Sequence, residues 1–254
     1  MTIFDLNIFG IHIAPSYYGL MYAIGFISGY LIIKKSRLQD YFKNDKENKR
    51  IDSLLFYIFL GVIIGGRFGY ILFYDIGYYI ENISEILKIW KGGMSFHGGV
   101  IGVIIAMITY SRRKKISFFE IADEVTRILP IGIGAGRFGN YLNKELLGKE
   151  YSGFLSVEKD GISYFPSPLV ELILEGIILY IILNYFYKKK HKKGQIASLF
   201  LIFYAIFRII VEIFFRTPDP QIGYLFGFMT MGIILSLPML IIGIFFYYYL
   251  GKTK

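Results

Sequence analysis

The stretch SPLVELILEGIILYIILNYFYKKKHKK, residues 167–193, is an apolar run followed at once by lysines. Its apolar part, residues 167–187, has about the 20 residues that a helix needs to cross about 30 Å of hydrocarbon. The five lysines in KKKHKK are typical of a loop that stays on the cytoplasmic side of a membrane. The stretch therefore predicts a membrane-spanning helix and the direction in which it runs.

The whole chain has the composition of a membrane protein. Of its 254 residues, 55% are hydrophobic and 19% are aromatic, which is more than an ordinary soluble domain contains. Seven apolar runs are long enough to span a bilayer. These runs are residues 16–33, 51–74, 93–110, 117–142, 167–187, 195–215 and 224–250. We therefore expect an all-α polytopic membrane protein with seven transmembrane helices, forming a single integral membrane domain over residues 1–254.

Basic residues are concentrated in alternate connections between these runs. Of the 28 lysines and arginines, 18 lie in residues 34–50, 112–115 and 188–193 and in the C-terminal tail. The positive-inside rule then places the N-terminus outside and the C-terminus in the cytoplasm, in agreement with an odd number of spans. Residues 144–166 are expected to form a small extracytoplasmic connection. The same distribution assigns the net charge of +9 to topology, so we expect no nucleic-acid partner.

The chain contains no cysteine, so it offers neither a thiol nucleophile nor a thiolate metal site. No aspartate-rich metal motif is present either, and we expect no metal and no cofactor. The first apolar run lacks a basic leader and a small-residue cleavage site, so we expect it to stay attached. Any thiol chemistry must use the sulfur of another molecule.

All basic residues inside or at the ends of the predicted spans are arginines. They are Arg67, Arg127, Arg137, Arg208 and Arg216. A guanidinium matches the oxygens of a phosphate or carboxylate in a way that lysine does not, which favours anion recognition. Ion pairs between helices are the alternative, and Glu124, three residues before Arg127, favours such a structural pair there.

The predicted topology brings most of these costly polar residues to the outer part of the membrane. Arg208, Glu212 and Arg216 follow one stripe of an outward-running helix at i, i+4 and i+8. Residues of other spans at the same level are Tyr18, Arg67, His97, Arg137, Asn140, Asn143 and Glu171. Polar groups are rare in lipid unless they are paired or functional. The sequence therefore predicts one anion-binding site that faces the outer leaflet.

Several glycines lie close in sequence to the polar residues of this outer level. GVIIGGRFGY (residues 61–70) and GIGAGRFGN (residues 132–140) share the core GRFG, and Gly98 and Gly99 follow His97 directly. Small residues allow helices to approach closely, and they also expose backbone to a ligand. Both interpretations remain open for Gly98 and Gly99.

Four segments resemble a known family in order and spacing. They are KGGMSFHGGVIG (residues 91–102), GAGRFGNYLNKELLG (134–148), PSPLVE (166–171) and FRIIVEIFFRTPD (207–219). Together they closely resemble prolipoprotein diacylglyceryl transferase, and SYYGLMYAIGF (residues 16–26) and GGRFGYILFY (65–74) match as well. The resemblance implies seven spans in the bacterial inner membrane, with the N-terminus outside. It also implies transfer of the diacylglyceryl group of phosphatidylglycerol to the lipobox cysteine thiol of a preprolipoprotein, the first step of lipoprotein maturation, with release of glycerol phosphate.

The resemblance also implies which residues act. The matching positions are Tyr18, His97, Arg137, Asn140, Glu145, Arg208, Glu212 and Arg216. We assign Arg137 and Arg208 to the phosphate, with Asn140 as a supporting donor, and Glu212 to the orientation of the arginines. Further residues expected to bind substrate are Tyr18, Arg67, Gly98, Gly99, Glu145 and Arg216. The chain departs from many relatives at Lys149 and Phe165, which makes direct catalysis by these two residues doubtful.

His97 is the only histidine within a predicted span. A neutral imidazole is a suitable base near pH 7, so it is a candidate to accept the thiol proton. A hydrogen bond between helices, or a contact to the lipid headgroup, is the alternative role. Two other classes of protein compete with the enzyme: a transporter of an anionic solute, which needs polar groups on both sides of the membrane, and a structural scaffold.

Overall fold

The computed structural model of the chain describes residues 6–8, 11–13, 17–38, 50–74, 76–89, 92–218, 223–224 and 229–252. Within these ranges the chain is mostly helical. The helices are α1 (Tyr17–Ile33), α2 (Arg50–Tyr74), α3 (Ile76–Glu81), α4 (Phe96–Lys114), α5 (Phe118–Leu142), α6 (Ser167–Glu171), α7 (Leu179–Lys188), α8 (Gln195–Phe214) and α9 (Met231–Lys252). A 3₁₀ turn covers Ile83–Leu87, and a π-helical segment, Leu172–Ile178, joins α6 to α7.

Two short antiparallel hairpins complete the described elements. The first consists of β1 (Leu6–Ile8) and β2 (Ile11–Ile13), with Leu6 opposite Ile13. The second consists of β3 (Val157–Lys159) and β4 (Ile162–Tyr164) and lies within the connection of residues 144–166. Neither hairpin was expected from the sequence, because strands of three residues leave no usable alternation of apolar and polar positions.

The chain divides into two compact units. The larger unit contains Met1–Ile33 and Asp123–Lys254, and the smaller unit contains Lys34–Ala122. Helix α5 begins in the smaller unit and ends in the larger one. The prediction of a single domain stays a prediction.

The smaller unit is built on the contact between α2 and α4, which runs along both helices. Glycines of the two helices face each other with their backbones in direct contact. A Cβ atom on Gly65 would lie 2.3 Å from the carbonyl oxygen of Gly98, and one on Gly102 would lie 2.0 Å from that of Gly61. Any side chain at these positions would therefore push the helices apart. Helix packing accounts for Gly98.

In the larger unit α8 packs against α7 and α9. Its apolar core consists of Leu179, Leu183, Ile196, Leu199 and Phe200. Asp123 of α5 stabilises the start of α8, because its carboxylate accepts hydrogen bonds from the backbone N–H groups of Gly194 (2.7 Å) and Ala197 (2.8 Å). These N–H groups have no acceptor within their own helix.

The predicted ion pair within α5 is confirmed. Nη2 of Arg127 lies 3.0 Å from Oε2 of Glu124, and both side chains are buried. Arg127 also donates to the side chain of Asn184 at 3.0 Å, and Tyr187 donates its hydroxyl to the other oxygen of Glu124. The four side chains satisfy one another, which is a structural role.

Four of the described helices are long and apolar enough to cross a membrane. They are Ile51–Leu72, Ser167–Lys188, Gln195–Phe214 and Met231–Lys252. Large apolar side chains on their surfaces are exposed, including Leu72 on α2 and Ile241 and Tyr248 on α9, as lipid-facing surfaces are. The protein is therefore a multi-pass membrane protein. Helices α1, α4 and α5 occupy the other predicted spans that the structure describes, and the number of seven stays a prediction.

Candidate active site

The candidate site of the larger unit forms where α5 and the helix Ser167–Lys188 come closest. A Cβ atom on Gly176 would lie 2.9 Å from the Cα of Gly134, and one on Gly134 would lie 3.2 Å from the Cα of Gly176. Only glycine at both positions allows this separation. The contact places Arg137, one turn beyond Gly134, beside the carboxylates of the second helix.

Arg137 contacts two carboxylates of that helix. Its Nε lies 2.8 Å from Oε2 of Glu171, and its Nη2 lies 3.2 Å from Oε2 of Glu175. Both glutamates are 0% exposed, so they are removed from water completely. They lie four residues apart, one in the last residue of α6 and one in the π-helical segment. π-helical turns are rare and frequently occur at functional sites.

Helix α8 and the residues directly after it bring two further arginines to Glu171. Nη1 of Arg208 lies 2.9 Å from Oε2 of Glu171, and Nη1 of Arg216 lies 3.2 Å from Oε1 of the same residue. Glu171 therefore contacts three guanidinium groups, which come from three different positions in the chain. The expected contacts of Glu212 are present, because it lies 2.6 Å from Arg208 and 3.6 Å from Arg216. The expected helical stripe is only partly correct, because α8 ends at Phe214 and Arg216 lies two residues beyond it.

These six side chains form what we call the arginine–glutamate cluster. Its members are Arg137, Arg208, Arg216, Glu171, Glu175 and Glu212. Each arginine is largely buried, with 14% to 17% of its side chain exposed. Guanidinium groups held in this way can present fixed donors to an anion, because the carboxylates hold them in place.

The turn after α5 holds a separate carboxylate. Asn140 donates its side-chain amide to Glu145 at 3.2 Å, and the backbone N–H of Glu145 donates to the carbonyl of Asn140 at 2.8 Å. Asn143 donates to the other oxygen of Glu145 at 3.4 Å. Lys144 and Leu146 adopt positive φ angles of 55° and 53°, which closes the turn. The segment GNYLNKE therefore folds into a local structure around Glu145.

The connection of residues 144–166 is attached to the helix ends that carry the cluster. The backbone N–H of Gly148 donates to the carbonyl of Phe165 at 2.8 Å, and that of Lys149 donates to the carbonyl of Phe215 at 3.2 Å. Gly148 also forms a β-bridge with Arg216. Glu145 and the cluster therefore belong to one continuous part of the larger unit.

Helix α9 covers Glu212. A Cβ atom on Gly232 would lie 2.3 Å from Oε1 of Glu212, so the start of α9 packs directly on this carboxylate. Among the described residues, no group of three His, Cys, Asp or Glu side chains is arranged to hold a metal ion.

Arg67 lies in the smaller unit and donates to backbone carbonyls. Its Nε donates to Ile86 at 2.9 Å, its Nη1 to Gly92 at 2.6 Å and its Nη2 to Glu85 at 2.6 Å. Its guanidinium also lies 5.0 Å from the ring centre of Tyr79. These contacts hold the connection between α2 and α4, and they favour a structural role. A contact to substrate stays a prediction for Arg67.

The remaining predicted site residues are His97, Gly98, Gly99 and Tyr18. His97 is exposed in the first turn of α4, and Ser95 caps that helix by accepting the backbone N–H of Gly98 at 3.3 Å. A Cβ atom on Gly99 would meet the carbonyl oxygen of Val62 at 3.7 Å, an ordinary contact. Tyr18 is the second residue of α1, and its side chain is outside the part of the chain that the structure describes.

From the sequence alone, no role is predicted for Glu175, and Glu171 is placed at the outer level of the membrane without a role. A usable signal exists: these are the two carboxylates of an otherwise apolar span, at i and i+4. Sequence alone does not show which arginines they contact, because that depends on how α5, α8 and the helix Ser167–Lys188 pack.

Comparison with known proteins extends over nearly the whole chain. The sequence model of the family described as prolipoprotein diacylglyceryl transferase matches residues 4–249. Among curated proteins, a phosphatidylglycerol–prolipoprotein diacylglyceryl transferase of Mannheimia succiniciproducens is 44% identical, over 96% of this chain and 91% of that protein. A protein of the same name from Buchnera aphidicola is 42% identical, over 93% of this chain and 92% of that protein.

Proposed function

The chain belongs to the prolipoprotein diacylglyceryl transferase family, and from this membership we propose that it is a transferase that acts on phosphatidylglycerol and a preprolipoprotein. It moves the diacylglyceryl group from the lipid to the lipobox cysteine thiol. This is the first step of bacterial lipoprotein maturation. The matched relatives carry the name of this reaction and share more than two fifths of their residues with the chain.

The reaction exchanges one bond for another. The cysteine sulfur attacks the glyceryl carbon of the diacylglyceryl group and forms a thioether, while the bond from that carbon to the phosphate oxygen breaks. The thiol proton passes to a base, and glycerol phosphate leaves with the electrons of the broken bond. Two demands follow: a thiolate must form, and the departing phosphate must be stabilised.

The observation that supports a site for this reaction is the convergence of Arg137, Arg208 and Arg216 on Glu171. A phosphodiester headgroup is an anion, and its phosphate becomes more negative as the carbon–oxygen bond breaks. Guanidinium groups that are fixed beforehand stabilise such growing charge without a metal. Arg137 and Arg208 bind the phosphate in this proposal, and Arg216 supports them.

The neighbouring residues have supporting roles. Glu212 and Glu171 orient the guanidinium groups, since each contacts more than one of them. Asn140 and Glu145 form a polar turn that is available to the headgroup or the lipobox peptide. Tyr18 binds the substrate from α1.

His97 is the proposed acceptor of the thiol proton. It is exposed at the start of α4, so its imidazole is accessible to an incoming group. A thiol with a pKa near 8.5 is largely protonated at neutral pH and gains reactivity from a base. Gly99 is the remaining glycine candidate for a contact to substrate, because helix packing accounts for Gly98.

The charge distribution sets the orientation of the protein in the bacterial inner membrane. The alternate connections rich in lysine and arginine lie in the cytoplasm, the N-terminus lies outside, and seven helices cross the bilayer. Arg137 lies near the outer end of α5 in this topology. The active site therefore faces the outer leaflet.

A reconstituted transfer reaction tests the function directly. The full-length protein is incubated in phosphatidylglycerol vesicles with a lipobox peptide, and the peptide is analysed by mass spectrometry. A gain of one diacylglyceryl group on the cysteine, with matching release of glycerol phosphate, is the expected result. Solute flux without a modified peptide would instead indicate a transporter. If neither a modified peptide nor solute flux is observed, the structural scaffold is favoured.

A further inference from the structure

The arginine–glutamate cluster has equal numbers of positive and negative groups. With three arginines and three glutamates fully ionised, its net charge is zero. An anionic headgroup gains less electrostatic attraction from a neutral cluster than from a positive one, and it adds an unbalanced charge to a region of low dielectric. A neutral carboxyl group in the cluster would leave a net positive charge that favours an anion, an inference that rests on the proposed function.

Glu171 is the carboxylate with the strongest reason to be ionised. Its Oε2 lies 2.8 Å from Arg137 and 2.9 Å from Arg208, and its Oε1 lies 3.2 Å from Arg216. Both of its oxygens therefore have charged donors. Neutralising it would remove partners from three buried guanidinium groups at once, which is costly.

Glu212 is also well compensated as an anion. Its Oε1 lies 2.6 Å from Nη2 of Arg208 and 3.6 Å from Nε of Arg216. Arg208 lies one turn before Glu212 on α8, and Arg216 lies four residues after it, just beyond the end of the helix. A short, charge-assisted contact of this kind favours the ionised form.

Glu175 has the weakest support of the three. Only its Oε2 accepts hydrogen bonds, both from Arg137, at 3.2 and 3.3 Å. Its Oε1 accepts no hydrogen bond from any part of the chain that the structure describes, and its distance to Nη1 of Arg208 is 3.7 Å. The side chain is 0% exposed, so water does not supply the missing donor.

We infer that Glu175 is a neutral carboxylic acid, with its proton on Oε1, and that the cluster therefore carries a net charge of plus one that matches a phosphodiester headgroup. In the protonated carboxyl group Oε1 carries the proton and is itself a donor, so it no longer needs to accept a hydrogen bond. Oε2 remains the acceptor for Arg137 and fixes that guanidinium. Glu175 is then a positioning residue that acts through Arg137.

The groups around Glu175 are consistent with a neutral form. Arg137 faces it from α5, Arg208 and the phenol of Tyr204 face it from α8, and Glu171 lies one turn before it in its own helix. Arg137 and Arg208 are shared with Glu171, which holds both at shorter distances. Two neighbouring carboxylates that share the same cations cannot both be ionised at low cost.

Infrared spectroscopy of the full-length protein in lipid vesicles tests the protonation state. A protonated carboxyl group has a C=O stretching band that ionised carboxylates lack. We expect such a band at neutral pH in the unaltered protein, its loss in Glu175→Gln, and its retention in Glu158→Gln, which changes an exposed carboxylate of β3. An unchanged carboxylic acid region in Glu175→Gln would show that Glu175 is ionised and would overturn the inference.

Transfer kinetics separate a neutral positioning role from a charged one. Glutamine reproduces the shape and neutrality of a protonated glutamate and still accepts from Arg137, so Glu175→Gln should restore most of the kcat/KM for phosphatidylglycerol that Glu175→Ala loses. Glu171→Gln removes a necessary charge and should lose about a hundredfold in kcat/KM. Equal losses in the two glutamine variants would contradict the inference.

The two measurements also separate this inference from the proposed function. The infrared band does not depend on catalysis, so it reports on Glu175 even if the unaltered protein transfers nothing to the peptide. An active protein without the band would contradict only the inference that Glu175 is neutral. An inactive protein with the band would contradict the proposed function and would still support the neutral form of Glu175.

Discussion

Each arginine of the cluster contacts at least two carboxylates, and this pattern explains why these three positions are occupied by arginine and not by lysine. A guanidinium offers several N–H donors in a fixed plane, so Arg137 can bind Glu171 and Glu175 and still direct N–H groups elsewhere. A lysine ammonium has no such plane. The choice of arginine in the spans could be predicted from sequence, because residue type is visible there. The partners could not, because pairing depends on contacts between helices.

His97 provides a prediction about the base. Changing His97 to Gln keeps a polar side chain of similar size but removes the group that accepts a proton near neutral pH. If His97 accepts the thiol proton, transfer should fall by about 10²-fold or more at pH 7. The loss should shrink at higher pH, where the thiol ionises by itself. The measurement is the initial rate of thioether formation across a pH series.

The control for His97 is the amount and folding of the inserted protein, measured by circular dichroism of the purified variant. A rate close to that of the unaltered protein at every pH would exclude His97 as the base. A uniform loss at all pH values would instead indicate one of the alternative roles, a helix contact or a contact to the headgroup.

The packing of α5 against the helix Ser167–Lys188 depends on two glycines. A Cβ atom at position 176 would lie 2.9 Å from the Cα of Gly134. This Cα is a backbone atom and cannot move aside as a flexible side chain can. We expect Gly176→Ala to separate the helices, to move Glu175 from Arg137, and to destabilise the fold by about 1–3 kcal/mol. Loss of transfer and a lower midpoint of thermal unfolding are the measurements.

Gly136→Ala is the matched control in α5. A Cβ atom at this position has nothing within 4 Å, so alanine fits without displacement. It should retain transfer, and it should slightly stabilise the helix, since alanine is the better helix former. If both alanine variants behaved alike, the glycine contact would not determine the geometry of the site.

Sequence patterns predicted the helices better than their interruptions. Apolar length identified the regions that contain α1, α2, α4, α5, α8 and α9, because long periodic runs are the clearest signal. The π-helical segment Leu172–Ile178 left no comparable trace. Its hydrogen bonds span five residues instead of four, a difference that the apolar pattern of a short segment does not reveal.

The orientation of the whole protein in the membrane is open to a direct test, because the chain contains no cysteine. A single cysteine can therefore be introduced at any exposed position without background labelling. Lys159→Cys lies in the β3–β4 hairpin, and Lys190→Cys lies in the lysine-rich connection after α7. In intact cells we expect a membrane-impermeant thiol reagent to label the first variant and not the second.

Permeabilised cells provide the control for topology, since both cysteines should then react. Labelling of Lys190→Cys in intact cells would show that the orientation is the reverse of the proposed one. The arginine–glutamate cluster would then lie near the cytoplasm. Labelling of neither variant in permeabilised cells would mean that both positions are shielded, which would contradict their exposure in the structure.

Charge and hydropathy over the whole chain predicted a multi-pass membrane protein correctly. The finer number of seven spans rests on helices that differ in character, because only four of the described ones are apolar enough by length and composition alone. Helix α5 carries Asp123, Glu124 and Arg127 in its first half, where each is paired within the larger unit. Such pairing makes a polar helix compatible with a membrane, but hydropathy does not detect it.

Transfer by two arginine variants measures the role of the cluster most directly. Arg208→Ala removes a guanidinium that contacts Glu171 and Glu212, and Arg112→Ala removes an exposed arginine at the end of α4. In phosphatidylglycerol vesicles, with equal amounts of inserted protein, we expect Arg112→Ala to modify the lipobox peptide normally and Arg208→Ala to lose at least about a hundredfold in rate. A rate for Arg208→Ala equal to that of the unaltered protein would contradict phosphate stabilisation by the cluster.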